Sequence, residues 1–142
     1  MDILNRDEIK TFLPHREPML LVDDVTMEGN EAIAHYHVRG DEYFLQGHFP
    51  GYPVVPGVIL CEIMGQCSSI LIKDQLPGRL TFYAGLDKVR FKNQVRPGDD
   101  IVVTAHITAN RGMTYFVDAE AKVDGKLAAK GSLIFMLVDR KD

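Results

Sequence analysis

The chain lacks an excess of basic residues, a cysteine framework and any long apolar run, and each absence narrows what it can be. Its 16 Lys and Arg stand against 20 Asp and Glu, a formal net charge of −4, which argues against a nucleic-acid partner while leaving room for local basic patches. No apolar run approaches the roughly 20 residues that span a bilayer. Met1 to Lys10 is polar, without the basic-then-apolar layout of a signal peptide. With only two cysteines, Cys61 and Cys67, pointing different ways from one expected helix, buried thiols in a reducing cytoplasm are the plain reading. Phosphate loops, nucleophile elbows and zinc spacings are missing too. His35-x-His37 has metal-pair spacing but no third ligand nearby in sequence, so it reads as a solvated or interface pair.

What is present is ordinary globular composition, 46 % apolar and 25 % charged over 142 residues, enough for one domain spanning 1–142. Leu4 to Ile9 reads as a helix start, with Asn5 as cap and Glu8 completing a capping box, and Pro14 ends that helix. Met19 to Val25 reads as a strand. In the next strand Ala32, Ala34, Tyr36 and Val38 share a face opposite His35 and His37. A second helix runs from Gly57 to about Lys73 or Gln75, apolar on nearly every side apart from Glu62, Gly65 and Gln66. Such a helix has to be buried, here inside a curved sheet. Four strands follow, Leu80 to Asn93, Ile101 to Asn110, Thr114 to Val123 and Lys126 to Val138, as an antiparallel meander. The first switches parity beside Gly85, which predicts a β-bulge. Asp124-Gly125 marks a hairpin. The expected class is α+β, an antiparallel sheet around one apolar helix, with sheet edges that invite a symmetric partner.

The stretch from Gly47 to Glu62 carries the chemistry. His48 sits in a loop stiffened by Pro50, Pro53 and Pro56, and Glu62 lies on the helix that this loop feeds. A base, an acid and a helix N-terminus between them suit proton chemistry beside a carbonyl. Burial is expected to raise the Glu62 pKa, as suits a general acid, with Gln66 one turn on to orient it. An ion pair in a subunit interface is the competing reading of Glu62, and a hydrogen-bonded structural residue that of His48. Free N–H groups at Gly57 can accept an oxyanion, or the glycine merely lets the chain turn. Lys88, Arg90 and Lys92 form a basic stripe at period two, either a solvated face or a seat for an acidic partner. His15 can be either structural or functional, and His106 falls on a polar face.

These residues resemble a known family. Gly47-His48-Phe49-Pro50, Pro53-Val54-Val55-Pro56-Gly57-Val58, Glu62 and Gln66 are similar to the signature of β-hydroxyacyl-acyl carrier protein dehydratases of the FabZ type. Pro14-His15-Arg16, Leu20-Leu21-Val22-Asp23, Gly85-Leu86-Asp87-Lys88-Val89-Arg90-Phe91 and Pro97-Gly98-Asp99 support it, so the resemblance runs from about Thr11 to Val138. It implies a hotdog fold and a homodimer, usually three dimers in a hexamer, with each active site shared across the dimer interface. It also implies dehydration of a (3R)-3-hydroxyacyl chain on the phosphopantetheine arm of acyl carrier protein, in type II fatty-acid elongation. His48 would take the proton beside the thioester carbonyl, and Glu62 would act as, or position, the acid for the leaving hydroxyl. Gln66 would orient Glu62, the Gly57 N–H would hold the carbonyl oxygen, and Lys88, Arg90 and Lys92 would dock the acidic carrier. No metal or organic cofactor is implied. Glutamate rather than aspartate at position 62 separates the chain from the dehydratase/isomerase type. Tyr52, Ile63 and Gly65 depart from the family's usual small polar residue and alanines, and the segment around Phe82 and Tyr83 is a candidate gate of the acyl tunnel. A hotdog acyl thioesterase and a non-catalytic acyl-carrier binding protein are the competing readings.

Overall fold

A helix apolar on all sides needs cover on all sides, and the sheet supplies most of it. In a computed structural model of the chain, which describes residues 2–141, α2 (Gly57–Cys67) buries Leu60, Cys61, Ile63, Met64, Gln66 and Cys67. Each large apolar side chain among them contributes about 1.5–3 kcal/mol. Met1 and Asp142, the outermost positions of the expected domain, lie outside the described residues. In chain order the sheet strands are β1 (Leu4–Asn5), β2 (Asp24–Glu28), β3 (Glu31–His37), β4 (Arg79–Phe91), β5 (Asp100–Arg111), β6 (Thr114–Val123) and β7 (Lys126–Asp139). They form one antiparallel, curved sheet in the order β1-β2-β3-β5-β6-β7-β4. Its inner rows are small and apolar: Ala32, Ala34, Val103, Ala105, Ala119, Ala121 and Ala129 are all buried. Alanines let the sheet curl close onto the helix.

The alternation expected in β3 and β6 is observed; in β5 it holds only to Ala105, ahead of a register shift between Ile107 and Ala109 that leaves both exposed, and in β7 it is broken where Ala128 and Ala129 are both buried. The bulge beside Gly85 is also observed, where the pairing of β4 with β7 shifts between Tyr83 and Gly85. A second shift lies between Asp87 and Arg90, with Lys88 at φ 52°. The helix start is also as expected: α1 (Arg6–Ile9) has Asn5 as cap with both capping-box bonds made. His35 and His37 each point outward to a carboxylate, Asp24 and Asp100, at 2.6 Å.

Four expectations need correction. α1 stops at Ile9, before Pro14, because the chain tightens into turns that bond Thr11 and Phe12 to carbonyls three residues back. Met19 to Val25 is not a strand until Asp24; the Leu21 N–H and the Met19 carbonyl are instead bonded by the side-chain amide of Gln66. α2 ends at Cys67 and continues as a 3-10 segment, Ser68–Gln75. There the Ser68 and Ser69 hydroxyls bond carbonyls of the preceding turn, and Ile72 leaves helical geometry at φ −126°, ψ 22°. The meander is β5-β6-β7 only. β4 pairs with the far side of β7, and residues 92–99 carry the chain across to β5, beside β3.

The segment leading toward His48 is anchored by Glu42, which is only 5 % exposed. Its carboxylate accepts bonds from the Tyr36 hydroxyl at 2.6 Å, the Arg39 N–H at 3.0 Å and the Gly40 N–H at 2.7 Å. Burial pushes its pKa up, but these donors outweigh burial and hold it below the ordinary 4.5. Glu42→Ala strands three donors and is expected to lower the unfolding free energy by about 3 kcal/mol, read by urea titration. Because the folded pKa is depressed, the contribution is present above the unfolded value and is lost as pH falls through the folded one, so the wild-type and variant curves converge in acid.

Candidate active site

Glu62 occupies the middle of α2, on a stripe with Gly65, Gln66 and Ser69 spaced for one helix face. This stripe lines a cavity of about 340 Å³ whose other walls include Leu13, His15, Phe82, Tyr83 and Phe135. Gln66, 3 % exposed, uses its whole amide: Nε2 donates to Glu62 Oε2 at 2.8 Å and to the Met19 carbonyl at 2.7 Å, while Oε1 accepts from the Leu21 N–H at 2.6 Å. The amide thus bonds the carboxylate that it was expected to orient.

His15 is the group that sequence reading left undecided. Its Nε2 lies 3.3 Å from Glu62 Oε2, and its buried Nδ1 has no partner among the described residues. Thr81 Oγ1, another buried atom without a partner, lines the same cavity. Two orphaned polar atoms in a mostly apolar pocket suit a ligand with a polar head and an apolar tail. The signal for His15 was its place in Pro14-His15-Arg16, beyond the short helix and far from the His48 loop in sequence.

The Glu62 pKa runs against the sequence expectation. Burial does push it up, but the bonds from His15 and Gln66 and the His15 charge outweigh burial and hold it below the ordinary 4.5. Glu62 is therefore a carboxylate at neutral pH, suited to accepting and orienting a hydroxyl rather than donating a stored proton. The neighbouring thiols are buried as expected, and burial pushes the pKa values of Cys61 and Cys67 up, so both are poor nucleophiles.

His48 and Gly57 lie elsewhere. His48 Nδ1 is 2.8 Å from the Val54 carbonyl, which can only accept; the neutral ring therefore carries its proton on Nδ1 and keeps the Nε2 lone pair for a base's work. Phe49 stacks on the imidazole at 3.9 Å. Tyr52 bonds Gln94 at 3.0 Å and lies under the Arg96 guanidinium at 4.0 Å, tying the loop to the segment after β4. The Gly57 N–H starts α2 without a partner among the described residues. A Cβ there would meet the Phe91 ring at 3.1 Å, so the glycine is needed for close packing as well as for any oxyanion. Within one chain neither His48 nor Gly57 lines the cavity of Glu62. Lys88, Arg90 and Lys92 are all exposed, but Lys88 sits on a bulge in a groove of mixed sign, with Glu31, Asp118 and Lys130. Lys92 lies beyond the end of β4, beside the pocket of Gly57 and Phe91.

A curled antiparallel sheet around a central helix is the hotdog fold, and solved structures agree. The chain resembles a dehydratase heterocomplex from Xenorhabdus doucetiae, with a TM-score of 0.79 at 19 % identity over 93 % of this chain and 91 % of that one. It also resembles a hypothetical thioesterase with coenzyme A from Streptococcus pneumoniae, with a TM-score of 0.61 at 10 % identity over 94 % and 93 %. At those identities the likeness speaks for the fold alone. The sequence comparisons go further. The FabA-like domain matches residues 13–132. Proteins named 3-hydroxyacyl-[acyl-carrier-protein] dehydratase FabZ are 47 % identical in Streptococcus sanguinis, over 95 % of this chain and 99 % of the relative, and 50 % identical in Streptococcus agalactiae, over 92 % and 95 %. The chain belongs to the FabA-like family, within its FabZ dehydratase group.

His15→Asn removes the imidazole that bonds Glu62 Oε2 while leaving the carboxyl buried, so the Glu62 pKa is expected to rise. A carboxyl titration followed by carbon NMR reads this directly, and an unchanged value would show that His15 does not hold the charge in place.

Proposed function

We propose that the protein removes water from a (3R)-3-hydroxyacyl group carried on acyl carrier protein, giving the trans-2-enoyl thioester in type II fatty-acid synthesis. The observation that carries this is Glu62, clamped by the Gln66 amide in a mostly apolar cavity, in a chain half identical to named dehydratases of that substrate. His48 takes the C2 proton, made acidic by the thioester, on its free Nε2. Negative charge moves to the carbonyl oxygen, and the Gly57 N–H at the helix N-terminus stabilises it. Glu62, held by Gln66, accepts the bond from the C3 hydroxyl and aligns it. The proton taken by His48 is returned to the leaving oxygen, so C2–H and C3–O break, C2=C3 forms and water departs. The thioester supplies the acidity that a metal or organic cofactor would otherwise provide, and the phosphopantetheine arm arrives with the substrate.

The separation of His48 from Glu62 in one chain supports a site made by two copies. β4 is an edge strand of 13 residues bearing exposed Phe82, Leu86 and Phe91. Gly57 packs at its Phe91 end, and the Glu62 cavity opens at its Phe82 end. Antiparallel pairing of two β4 edges about a two-fold axis lays the Phe91 end of one copy against the Phe82 end of the other. That brings His48 and Gly57 of one subunit to the Glu62 cavity of its partner. We place the enzyme in the cytoplasm as such a homodimer, with three dimers forming a hexamer. Lys88, Arg90 and Lys92, along or just beyond the same edge, are positioned to meet the acidic carrier.

In an assay following loss of the conjugated enoyl absorbance on hydration, His48→Ala and Glu62→Gln are each expected to lower kcat/KM by about 10²–10⁴-fold. Mixing the two inactive variants should restore part of the activity through hybrid dimers, each with one intact site. Thiol release at a rate matching wild-type turnover would instead make the protein a thioesterase, and carrier binding without turnover would make it a binding protein.

A further inference from the structure

Gly65 stands inside α2, where glycine costs about 1 kcal/mol relative to alanine. Its neighbours show why it is there. A Cβ at position 65 would lie 2.5 Å from the Tyr83 hydroxyl oxygen, 3.0 Å from the Tyr83 ring carbon that bears it and 3.4 Å from the Phe135 ring. The glycine is therefore a notch cut into the helix, and the end of the Tyr83 phenol fills it. From that seat the hydroxyl donates to the Cys61 carbonyl, one helical turn back and adjacent to Glu62. The ring is fixed from the other side as well, stacked on its cross-strand partner Phe135 at 4.9 Å and 25°. Burial pushes the phenol pKa far up, so the hydroxyl stays a donor at any working pH.

We infer that Tyr83, seated in the Gly65 notch, is the specificity-determining residue that limits the length of acyl chain this protein accepts. The inference rests on the dehydratase reading above. With the C3 hydroxyl at Glu62, an acyl tail runs along the stripe of α2 that lines the cavity, and Gly65 is the next residue of that stripe. There it meets the Tyr83 ring. Turning the ring away would abandon a part-buried hydrogen bond and the stack on Phe135 together, so Tyr83 acts as a fixed wall. Alanine at position 65 and a tyrosine at 83 in this pose exclude one another, which makes the two positions a coupled pair.

The test compares kcat/KM for hydration of enoyl thioesters from four to sixteen carbons in wild type, Tyr83→Phe, Tyr83→Leu and Tyr83→Ala. Tyr83→Ala and Tyr83→Leu are expected to raise the long-to-short ratio by about tenfold or more. The change should be carried by KM for the long chains. Tyr83→Phe keeps most of the wall and shifts the ratio far less. A ratio unmoved in folded, active Tyr83→Leu would overturn the inference. The notch is tested separately by melting temperature, which needs no substrate. Gly65→Ala should melt below wild type despite its better helix propensity, and adding Tyr83→Phe should recover part of the loss. A Gly65→Ala protein as stable as wild type would also overturn the inference. If wild type turns over no chain length while the melting cycle shows the coupling, the dehydratase reading has failed and the notch has not.

Discussion

The side-chain amide of Gln66 is the joint on which the site depends. A buried amide on an apolar helix is costly unless every donor and acceptor is met, and here all three of its bonds go to different places. Two of them hold the Met19–Leu21 backbone, which has no strand partner of its own there. The third fixes Glu62. The same residue therefore completes the packing between the helix and the N-terminal segment and sets the direction of the carboxylate. The exposed ion pairs of Glu17 with Arg6 and Lys10, at 2.8 and 3.0 Å, brace the outer side of the loop that carries His15. Core, loop and carboxylate are thereby a single mechanical unit.

Much of this was legible in the sequence because it follows from local rules. The capping box of Asn5 and Glu8, the alternation of β3 and β6 and the parity switch beside Gly85 are short-range patterns, and the structure reproduces each. The buried central helix followed from the lack of any polar face. Three features were not legible, each because it depends on groups distant in sequence. Leu20 to Val22 looks like a strand by composition, but its partner is a side chain 45 residues away from Leu21. The Glu62 pKa could not be read from burial alone, since the decisive neighbour, His15, arrives from another element. The seat of β4 beside β7 instead of β5 depends on how residues 92–99 cross over, which no periodicity encodes.

Of the site residues, Glu62 and Gln66 stand together in one chain as their spacing on a helix requires. His48 is close to them in sequence yet does not reach their cavity, because Pro56 and Gly57 start the helix with the loop directed toward Phe91 and the end of β4. Tyr52, unusual for the family, is accounted for by its clamp to Gln94 and Arg96. Gly65, equally unusual, is accounted for by the Tyr83 hydroxyl.

The two irregularities in β4, at Gly85 and at Lys88, have a consequence for recognition between copies. A flat edge strand is indifferent to register and offers its free backbone to any neighbour. A strand with two kinks a few residues apart behaves like a notched key: only another edge with the same notches, run in the opposite direction, meets it in step. In the proposed dimer a slip of one residue would shift each histidine along the neighbouring cavity by roughly 3.4 Å and turn every side chain of the edge to the wrong face. The bulges would then serve as index marks, through which the spacing of base and carboxylate between two molecules is written into the backbone of each.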